Sequence, residues 1–243
     1  MLSIITIKTL ISKLPRWLKL GLAGCSICLL IPMAQVVLLK FFNPPTTAPM
    51  VLRWCHGKCV AAPYQPNQYH WVALKMVPEH FLSAVWMTED RHFFEHWGFD
   101  WGEIQKARAD ALATGKPARG ASTITQQCAR SLFLWQGRSW CRKGLEAYYT
   151  LWMELLLSKR RILELYVNVI ELGNGVYGLD AAAERYYGLP ADKLTRDQSA
   201  MLVAIMPNPK RLDPNHPNEA LQHRHTLVLE RAQDAILPIQ SNE

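Results

Sequence analysis

The spacing of apolar residues after Trp71 is the feature that most restricts the fold of this chain. Apolar residues recur there at the period of an amphipathic helix, and no segment alternates convincingly with the period of two expected of strands. The stretch from Gly144 to Tyr166 and beyond is apolar on most faces, which predicts one or two buried core helices. The other predicted helices cover residues 81–86, 101–113, 122–134, 179–187 and 197–205. A mostly α-helical domain follows, with Ser122 or Thr123 as the N-cap of the helix at 122–134.

Charge is unevenly distributed along the chain. Its 243 residues are enough to bury one hydrophobic core and a smaller lobe. The formal net charge is +7, yet residues 1–78 contain no acid, and acids and bases nearly balance in the rest. The basic character therefore belongs mostly to the N-terminal segment, which argues against nucleic acid as a partner. Residues 111–145 are a local exception, because they hold several basic residues and no acid.

The run from Leu20 to Leu39 is uncharged and mostly apolar. Its length is about that needed to cross ~30 Å of hydrocarbon. Basic residues precede the run and Lys40 follows it, so the distribution of Lys and Arg predicts a transmembrane anchor with its N-terminus in the cytoplasm. A cleaved signal peptide, or a lipoprotein cleavage box at residues 22–25, is an alternative. The length of the run and its flanking charges favour the uncleaved anchor.

Two short segments carry possible metal ligands. Cys55 and Cys59 have no second Cys/His pair at zinc-finger spacing, so a disulfide or free thiols are favoured over a metal half-site. The string from His92 to His96 reads H-x-x-E-H, a zinc pattern of one metallopeptidase class, and Glu164 or Glu171 could supply a third ligand. That pattern specifies only three positions, so chance matches are common. It also leaves the acid-free basic stretch unexplained.

A second interpretation of the same region makes Glu89 the active group. Glu89 follows an apolar helical segment, where a partly buried carboxylate suits a general base. Residues 120–127 (GASTITQQ) present hydroxyls and amides at a turn-to-helix junction, a setting that suits anionic oxygens. The basic residues that follow this segment suit a phosphate or pyrophosphate group. An ordinary solvated face would carry acidic residues between the basic ones. The alternatives are a solvated acid pair at Glu89-Asp90 and an ordinary helix cap.

Five short motifs in order, over about 125 residues, carry a family resemblance that is far more specific than H-x-x-E-H. They are E-D-x-x-F-x-x-H-x-G at residues 89–98, G-x-S-T-I-T-Q-Q at 120–127, R-K-x-x-E at 142–146, a fourth from Arg161 to Asn168 running on to Gly178, and a fifth at 200–209. The chain resembles the glycosyltransferase family 51 peptidoglycan glycosyltransferases, specifically the monofunctional biosynthetic kind. Arg130 and Arg161 stand where that family often has lysine, which keeps the charge.

The resemblance implies a fold, an activity and a set of site residues. The fold is lysozyme-like, a mostly α-helical head with a smaller, membrane-facing jaw, preceded by the single transmembrane helix. The activity is polymerisation of lipid II into β-1,4 glycan strands, inverting, with Glu89 as general base and release of undecaprenyl pyrophosphate. The implied catalytic residues are Glu89 and Glu146. The implied substrate-binding residues are Ser122, Thr123, Gln126, Gln127, Arg130, Arg138, Arg142, Lys143, Asp90 and His96, of which Asp90 and His96 shape the loop.

The same resemblance implies surroundings and partners. The partners are lipid II, the growing glycan strand and membrane lipid, with other cell-wall synthases or division proteins as candidates. No cofactor is obligatory, although a divalent cation, Mg²⁺ or Mn²⁺, assists at the pyrophosphate in some members. Expected boundaries are a cytoplasmic N-terminus at 1–19, an inner-membrane anchor at 20–39, a linker and lead-in at 40–70, a periplasmic glycosyltransferase domain at 71–235 and a tail at 236–243, with no fused transpeptidase.

Two other functions remain open from the sequence. A glycan-cleaving muramidase of similar fold would use Glu89 as an acid, but it would not need the cationic stretch. A membrane-anchored scaffold that retains the fold without activity is the non-enzymatic alternative, and the intact pair Glu89 and Glu146 argues against it. Among apolar residues, Phe133, Leu134, Trp135, Trp152 and Leu155 are candidates for contact with the bilayer, with ordinary core packing favoured for most of them.

Overall fold

The computed structural model describes residues 15–59, 65–117, 120–137 and 139–238. The chain divides into two units, the first ending at Phe42 and the second beginning at Asn43. In the first unit, α1 (Arg16–Phe41) is one helix with Pro32 inside it. Within the described ranges, no helix combines the length and the apolar character needed to cross a membrane. The anchor predicted at residues 20–39 lies within α1 and is not confirmed.

The second unit is mostly helical, which confirms the fold class expected from the apolar spacing. Its helices are α2 (Ala48–Cys59), α3 (Glu79–Glu89), α4 (Trp101–Thr114), α5 (Ile124–Phe133), α6 (Trp140–Leu156), α7 (Lys159–Val169), α8 (Leu179–Tyr187), α9 (Arg196–Ile205) and α10 (Glu219–Ala232). The long apolar stretch after Gly144 forms two helices because Ser158 caps α7, its hydroxyl accepting from the Arg161 N–H. The predictions from sequence omit α2 and α10. A separate jaw is not distinguished within the second unit.

The core of the second unit is built around α7. Ile162, Leu163, Leu165 and Val167 on this helix are fully buried, and α7 packs against α5. A helix buried on most of its faces must lie inside the domain, as its apolar composition predicts. Helix α5 also packs on α6, while α3 packs on both α9 and α10. These contacts bring the end of α3 and the start of α5 together.

A small three-stranded sheet lies beside the helices. Its strands β1 (Gln68–Tyr69), β2 (Glu171–Gly173) and β3 (Val176–Tyr177) are ordered β1-β3-β2. Strand β3 pairs in parallel with β1, Gln68 opposite Val176, and antiparallel with β2 through a short turn in which Gly175 has a φ of +77°. Such short strands carry too few residues to show an alternating pattern, so the sequence gives no sign of them.

Gly98, the last residue of the first motif (residues 89–98), packs closely against α6. Its φ is +79°, and a Cβ there would lie 2.6 Å from Thr150 Cγ2 and 2.9 Å from Glu154 Cγ. We expect Gly98→Ala to lower the free energy of unfolding by about 2 kcal/mol, through backbone strain and overpacking against α6. Thermal or urea unfolding of the purified variant measures this loss.

Gly115 provides a matched control, because its φ is +67° and a Cβ there would have no atom within 4 Å. Gly115→Ala therefore carries only the cost of the left-handed backbone, about 1 kcal/mol. Equal losses in the two variants would show that contact with Thr150 and Glu154 does not restrict residue 98.

Candidate active site

Helix α3 ends by presenting two adjacent carboxylates in different environments. Phe81, Ala84 and Val85 bury one side of α3, and the helix stops because Asp90, at φ −164° and ψ 80°, leaves the helical region. The Asp90 side chain is only 3% exposed, whereas that of Glu89 is 15% exposed. The two acids therefore lie in different surroundings, although they are neighbours in sequence.

Asp90 joins the end of α3 to the start of α5. Its Oδ2 accepts a hydrogen bond from the Ile124 backbone N–H at 2.9 Å, so the carboxylate lies at the positive end of the helix dipole. The Nε2 of His96 lies 3.0 and 3.1 Å from the two Asp90 oxygens. Asp90 and His96 thus bind each other and the helix, a positioning arrangement that leaves little of Asp90 for a substrate.

A capping box holds the first turn of α5. The Thr123 hydroxyl accepts from the Gln126 N–H, and the Gln126 carbonyl oxygen accepts from the Thr123 N–H at 3.1 Å. The Thr123 hydroxyl also donates to the Gly98 carbonyl at 2.7 Å. Both side chains are buried. Of the two expected N-caps, Ser122 and Thr123, the structure has Thr123, and its hydroxyl and the Gln126 carbonyl oxygen are engaged within the protein.

Glu89 receives a hydrogen bond from Gln127, the next residue of the same motif. Gln127 Nε2 lies 2.9 Å from Glu89 Oε2. The buried Tyr166 hydroxyl donates to Gln127 Oε1 at 3.1 Å, which turns the amide nitrogen toward Glu89. Burial, reinforced by the charge of Glu89, raises the pKa of Tyr166 well above its ordinary value, so Tyr166 remains a donor. A directed chain of hydrogen bonds therefore ends on Glu89.

Glu146 is a buried carboxylate that two cations neutralise. Its side chain is 2% exposed, and Arg142 Nη1 lies 2.5 Å from its Oε2. Lys143 Nζ bonds the other oxygen and also donates to the Ser122 hydroxyl at 3.3 Å. The Arg142 Nε donates to the Gly137 carbonyl at 2.7 Å. The third motif is thereby joined to the second through Lys143 and Ser122.

The remaining predicted cations are placed differently. Arg130, on α5, is half-buried, and its guanidinium has no hydrogen bond or ion pair to another described residue. Arg130 is near enough to Tyr166 to oppose the rise in the pKa of that phenol. Arg138 lies outside the described residues. Arg130 is thus a cation available to an anionic ligand.

Two clefts, each of about 310 Å³, are lined by one member each of the hydrogen-bonded pair Glu89 and Gln127. Glu89 and Ser122 line the first cleft, and Gln127 and Arg130 line the second. The first cleft is completed by Met87, Thr88, Asp90, Arg91, Asp100, Glu103, Gly120, Ala121, Thr123 and Arg231. The second is completed by Ser131, Gln136, Tyr166, Ile170, Glu171 and residues 206–210. Two ligands can therefore approach the Glu89–Gln127 pair from separate clefts.

The side chains that the zinc hypothesis needs have other partners. His92 Nδ1 lies 2.7 Å from Asp100 Oδ2, whereas His96 binds Asp90. Glu164 pairs with Arg161 at 2.5 Å, and Glu171 pairs with Lys210 at 3.2 Å. Across the described parts of the chain, no group of three His, Cys, Asp or Glu side chains is suited to a metal. Cys55, Cys128 and Cys141 are free thiols, and the Cys59 side chain is not among those described.

Two motif carboxylates, Glu146 and Asp90, are already engaged and are not free to hold the divalent cation that the family resemblance allows. The oxygens of Glu146 are bonded by Arg142 and Lys143, and those of Asp90 by His96 and the Ile124 N–H. Hard cations such as Mg²⁺ require several free oxygen ligands. No step below is routed through a metal.

The apolar residues considered for bilayer contact fall into two groups. Leu155 is 64% exposed and Trp135 is 40% exposed, as expected for side chains that could contact lipid. Leu134 is buried, and the ring of Phe133 stacks on Tyr149 with centroids 4.1 Å apart. Trp152 is half-buried, and its ring lies edge-on to Tyr148. Leu134 thus belongs to the core, and Phe133 and Trp152 are only partly accessible.

A positioned carboxylate that lines a polar cleft, with cations nearby, is an arrangement typical of enzyme active sites. The family model described as Transglycosylase matches residues 56–233, so the chain belongs to the transglycosylase family. This confirms the resemblance that the five motifs carry.

Curated relatives carry a common name. The "Biosynthetic peptidoglycan transglycosylase" of Xanthomonas campestris pv. campestris (strain B100) is 43% identical over 198 residues, which cover 82% of this chain and 80% of the relative. Proteins of the same name from Escherichia coli (strain K12 / DH10B) and Shigella sonnei (strain Ss046) are each 44% identical over 189 residues, covering 76% of both chains.

Two residues near Glu89 are absent from the site predicted by sequence. Tyr166 stands in the fourth motif, but nothing local indicates that its hydroxyl reaches Gln127 from α7. Arg224 belongs to none of the five motifs, yet its Nη2 lies 3.6 Å from Glu89 Oε1. Only the packing of α10 on α3 brings Arg224 there.

Proposed function

We propose that the protein is a peptidoglycan transglycosylase that polymerises lipid II into β-1,4 glycan strands and releases undecaprenyl pyrophosphate. The observation that carries this proposal is the Glu89 carboxylate, which lines one polar cleft and is bonded at 2.9 Å by Gln127, a residue that lines a second. A transfer reaction needs a donor and an acceptor near one proton acceptor, and the two clefts support such an arrangement. The family and the relatives' shared name support the substrate class.

In the proposed reaction, Glu89 is the general base. Its carboxylate takes the proton from the 4-hydroxyl of the acceptor while that oxygen forms a bond to the anomeric carbon of the donor. The bond from that carbon to the pyrophosphate oxygen breaks, and the pyrophosphate leaves with the electron pair. Attack from the opposite face inverts the anomeric carbon. The hydrogen bond from Gln127 supports this role, because it fixes the direction of the carboxylate.

Cations stabilise the charge that develops on the leaving group. Arg130 has no competing partner among the described residues, and Lys143 is 40% exposed next to Ser122. Positioned positive charge of this kind lowers the barrier where negative charge accumulates. We assign Arg130, Lys143, Ser122 and Gln127 to substrate contact, and Arg138 keeps the same proposed role.

The other motif residues act by positioning. Asp90 and His96 fix the end of α3 against α5, and Thr123 and Gln126 form the capping box. Arg142 and Glu146 hold Lys143 near Ser122 through their buried ion pairs. Loss of any of these residues would displace Glu89, Gln127 or Lys143 rather than remove a direct ligand.

Action at the membrane is part of the proposal, because the substrate carries a lipid tail. The exposed side chains of Trp135 and Leu155 support contact of a membrane-facing jaw with lipid in a lysozyme-like fold. The anchor at residues 20–39, with a periplasmic catalytic domain, stays a prediction. A reporter fused after Asn43 is expected to be active only outside the cytoplasm, and cytoplasmic activity would overturn this topology.

Incubation of the purified full-length protein with lipid II tests the proposal. We expect glycan polymer and free undecaprenyl pyrophosphate, with β linkages formed from the α-linked donor. Release of short muropeptides from preformed glycan, without polymer from lipid II, would instead identify a muramidase. Absence of both products would favour the scaffold.

A further inference from the structure

Helix α10 lies beyond the five motifs, yet it packs against the helix that carries Glu89. Its buried residues Leu221, Val228 and Ala232 form one stripe, and α10 contacts both α3 and α9. Arg224 and Arg231 follow this stripe at a spacing of seven residues, so they lie on the same side of the helix. Arg224 and Arg231 therefore lie on one side of α10, next to the buried residues by which this helix packs.

Both arginines reach the surroundings of Glu89. Arg224 Nη2 lies 3.6 Å from Glu89 Oε1, while Gln127 bonds Oε2 on the other side of the carboxylate. Arg231 lines the first cleft together with Glu89. The Arg224 Nε is buried and has no hydrogen-bond partner among the described residues. The two oxygens of Glu89 are therefore contacted by groups from two different helices.

The other charged and titratable groups around Glu89 leave Arg224 as its cationic contact. Asp90 is engaged by His96 and the Ile124 N–H, Tyr166 is a neutral donor, and Gln127 carries no charge. Arg91 and Arg231 line the cleft, and Arg130 lies on the Tyr166 side; none of the three has a direct contact to Glu89 among the described residues. Arg224 is thus the cation that contacts the Glu89 carboxylate directly among the described residues.

We propose that Arg224 is a positioning residue for the general base: with Gln127 it contacts both oxygens of the Glu89 carboxylate and holds that carboxylate in the orientation that accepts the proton. The inference rests on the proposed role of Glu89. Because Arg224 comes from α10, the working site includes a helix outside the five motifs.

The test compares kcat and KM for polymerisation by Arg224→Gln and Arg224→Lys in the full-length protein. We expect Arg224→Gln to lower kcat about tenfold with KM for lipid II nearly unchanged, because a misoriented carboxylate slows proton transfer without weakening substrate binding. Arg224→Lys keeps a cation at this position and should restore most of the wild-type kcat.

Two further variants separate the explanations. Arg185→Gln removes an exposed arginine on α8 and should leave kcat unchanged. Glu89→Gln/Arg224→Gln should be no less active than Glu89→Gln alone, because Arg224 acts through Glu89. A wild-type kcat in Arg224→Gln, or a loss of kcat that lysine does not relieve, would overturn the positioning role. Full activity of Glu89→Gln would instead overturn the proposed base.

Discussion

Glu89→Gln is expected to lower the rate of glycan polymerisation by a factor of about 10² to 10⁴, the range typical of a lost general base. Glutamine has the shape of glutamate and can still accept a hydrogen bond from Gln127, so the fold should remain intact. The amide, however, cannot take a proton from the acceptor hydroxyl. The measurement is the initial rate with lipid II, together with circular dichroism and thermal unfolding of the variant.

Glu95→Gln is the matched control for this prediction. Glu95 lies in the same loop but is exposed, and it has no hydrogen bond or ion pair from its side chain among the described residues. Its replacement should change the rate by less than about twofold, as expected for a surface substitution. The zinc interpretation gives the opposite result, since Glu95 would be the base of H-x-x-E-H. Full activity of Glu89→Gln would refute the assignment of Glu89, and an inactive Glu95→Gln would reopen the metal hypothesis.

Glu146→Gln is expected to lower the free energy of unfolding by about 3 kcal/mol, because it leaves a buried cation without its partner. Arg142 is only 9% exposed and would retain just the Gly137 carbonyl as an acceptor. Lys143 is 40% exposed and can turn to solvent, so it contributes little to this loss. For a domain of this size the melting temperature should fall by about 10 °C. Polymerisation should fall as well, since Lys143 would leave Ser122.

A surface pair offers the comparison for Glu146. Glu184 lies 3.2 Å from His70, and the two side chains are 66% and 56% exposed. Glu184→Gln should therefore cost less than about 1 kcal/mol. Replacing both Arg142 and Glu146 by methionine should recover much of the stability without recovering activity. An unchanged melting temperature in Glu146→Gln would mean that this cluster does not hold a buried charge.

Local features of the fold were predictable from the sequence. The helical spacing of apolar residues identifies α5, α8 and α9, because each buries one face against neighbouring helices. Thr123, one of the two expected N-caps, caps α5, and such a cap is local because a capping box needs only residues three apart. Helix α2 follows a Pro-rich segment that resembles a linker, and α10 follows another one. Both helices depend on packing against distant elements, which local patterns do not reveal.

The site was predictable as a set of residues but not as an arrangement. Glu89 and Asp90 are adjacent, and only the backbone at Asp90 and the Ile124 N–H decide which of them is buried. The pattern Thr123-x-x-Gln126 was the one local signal that separates the capping residues from Gln127. Nothing local points to Arg224, because its neighbour Glu89 is far away in the chain.

The hydrogen bond from the Ile124 N–H to Asp90 also gives the molecule a spectroscopic reporter. This proton is shared between the first residue of α5 and the residue directly after Glu89, and Ile124 is fully buried. Its exchange with deuterium therefore requires α3 and α5 to separate locally. A single resonance in an NMR spectrum would thus measure how often the two halves of the active site come apart, without any substrate present.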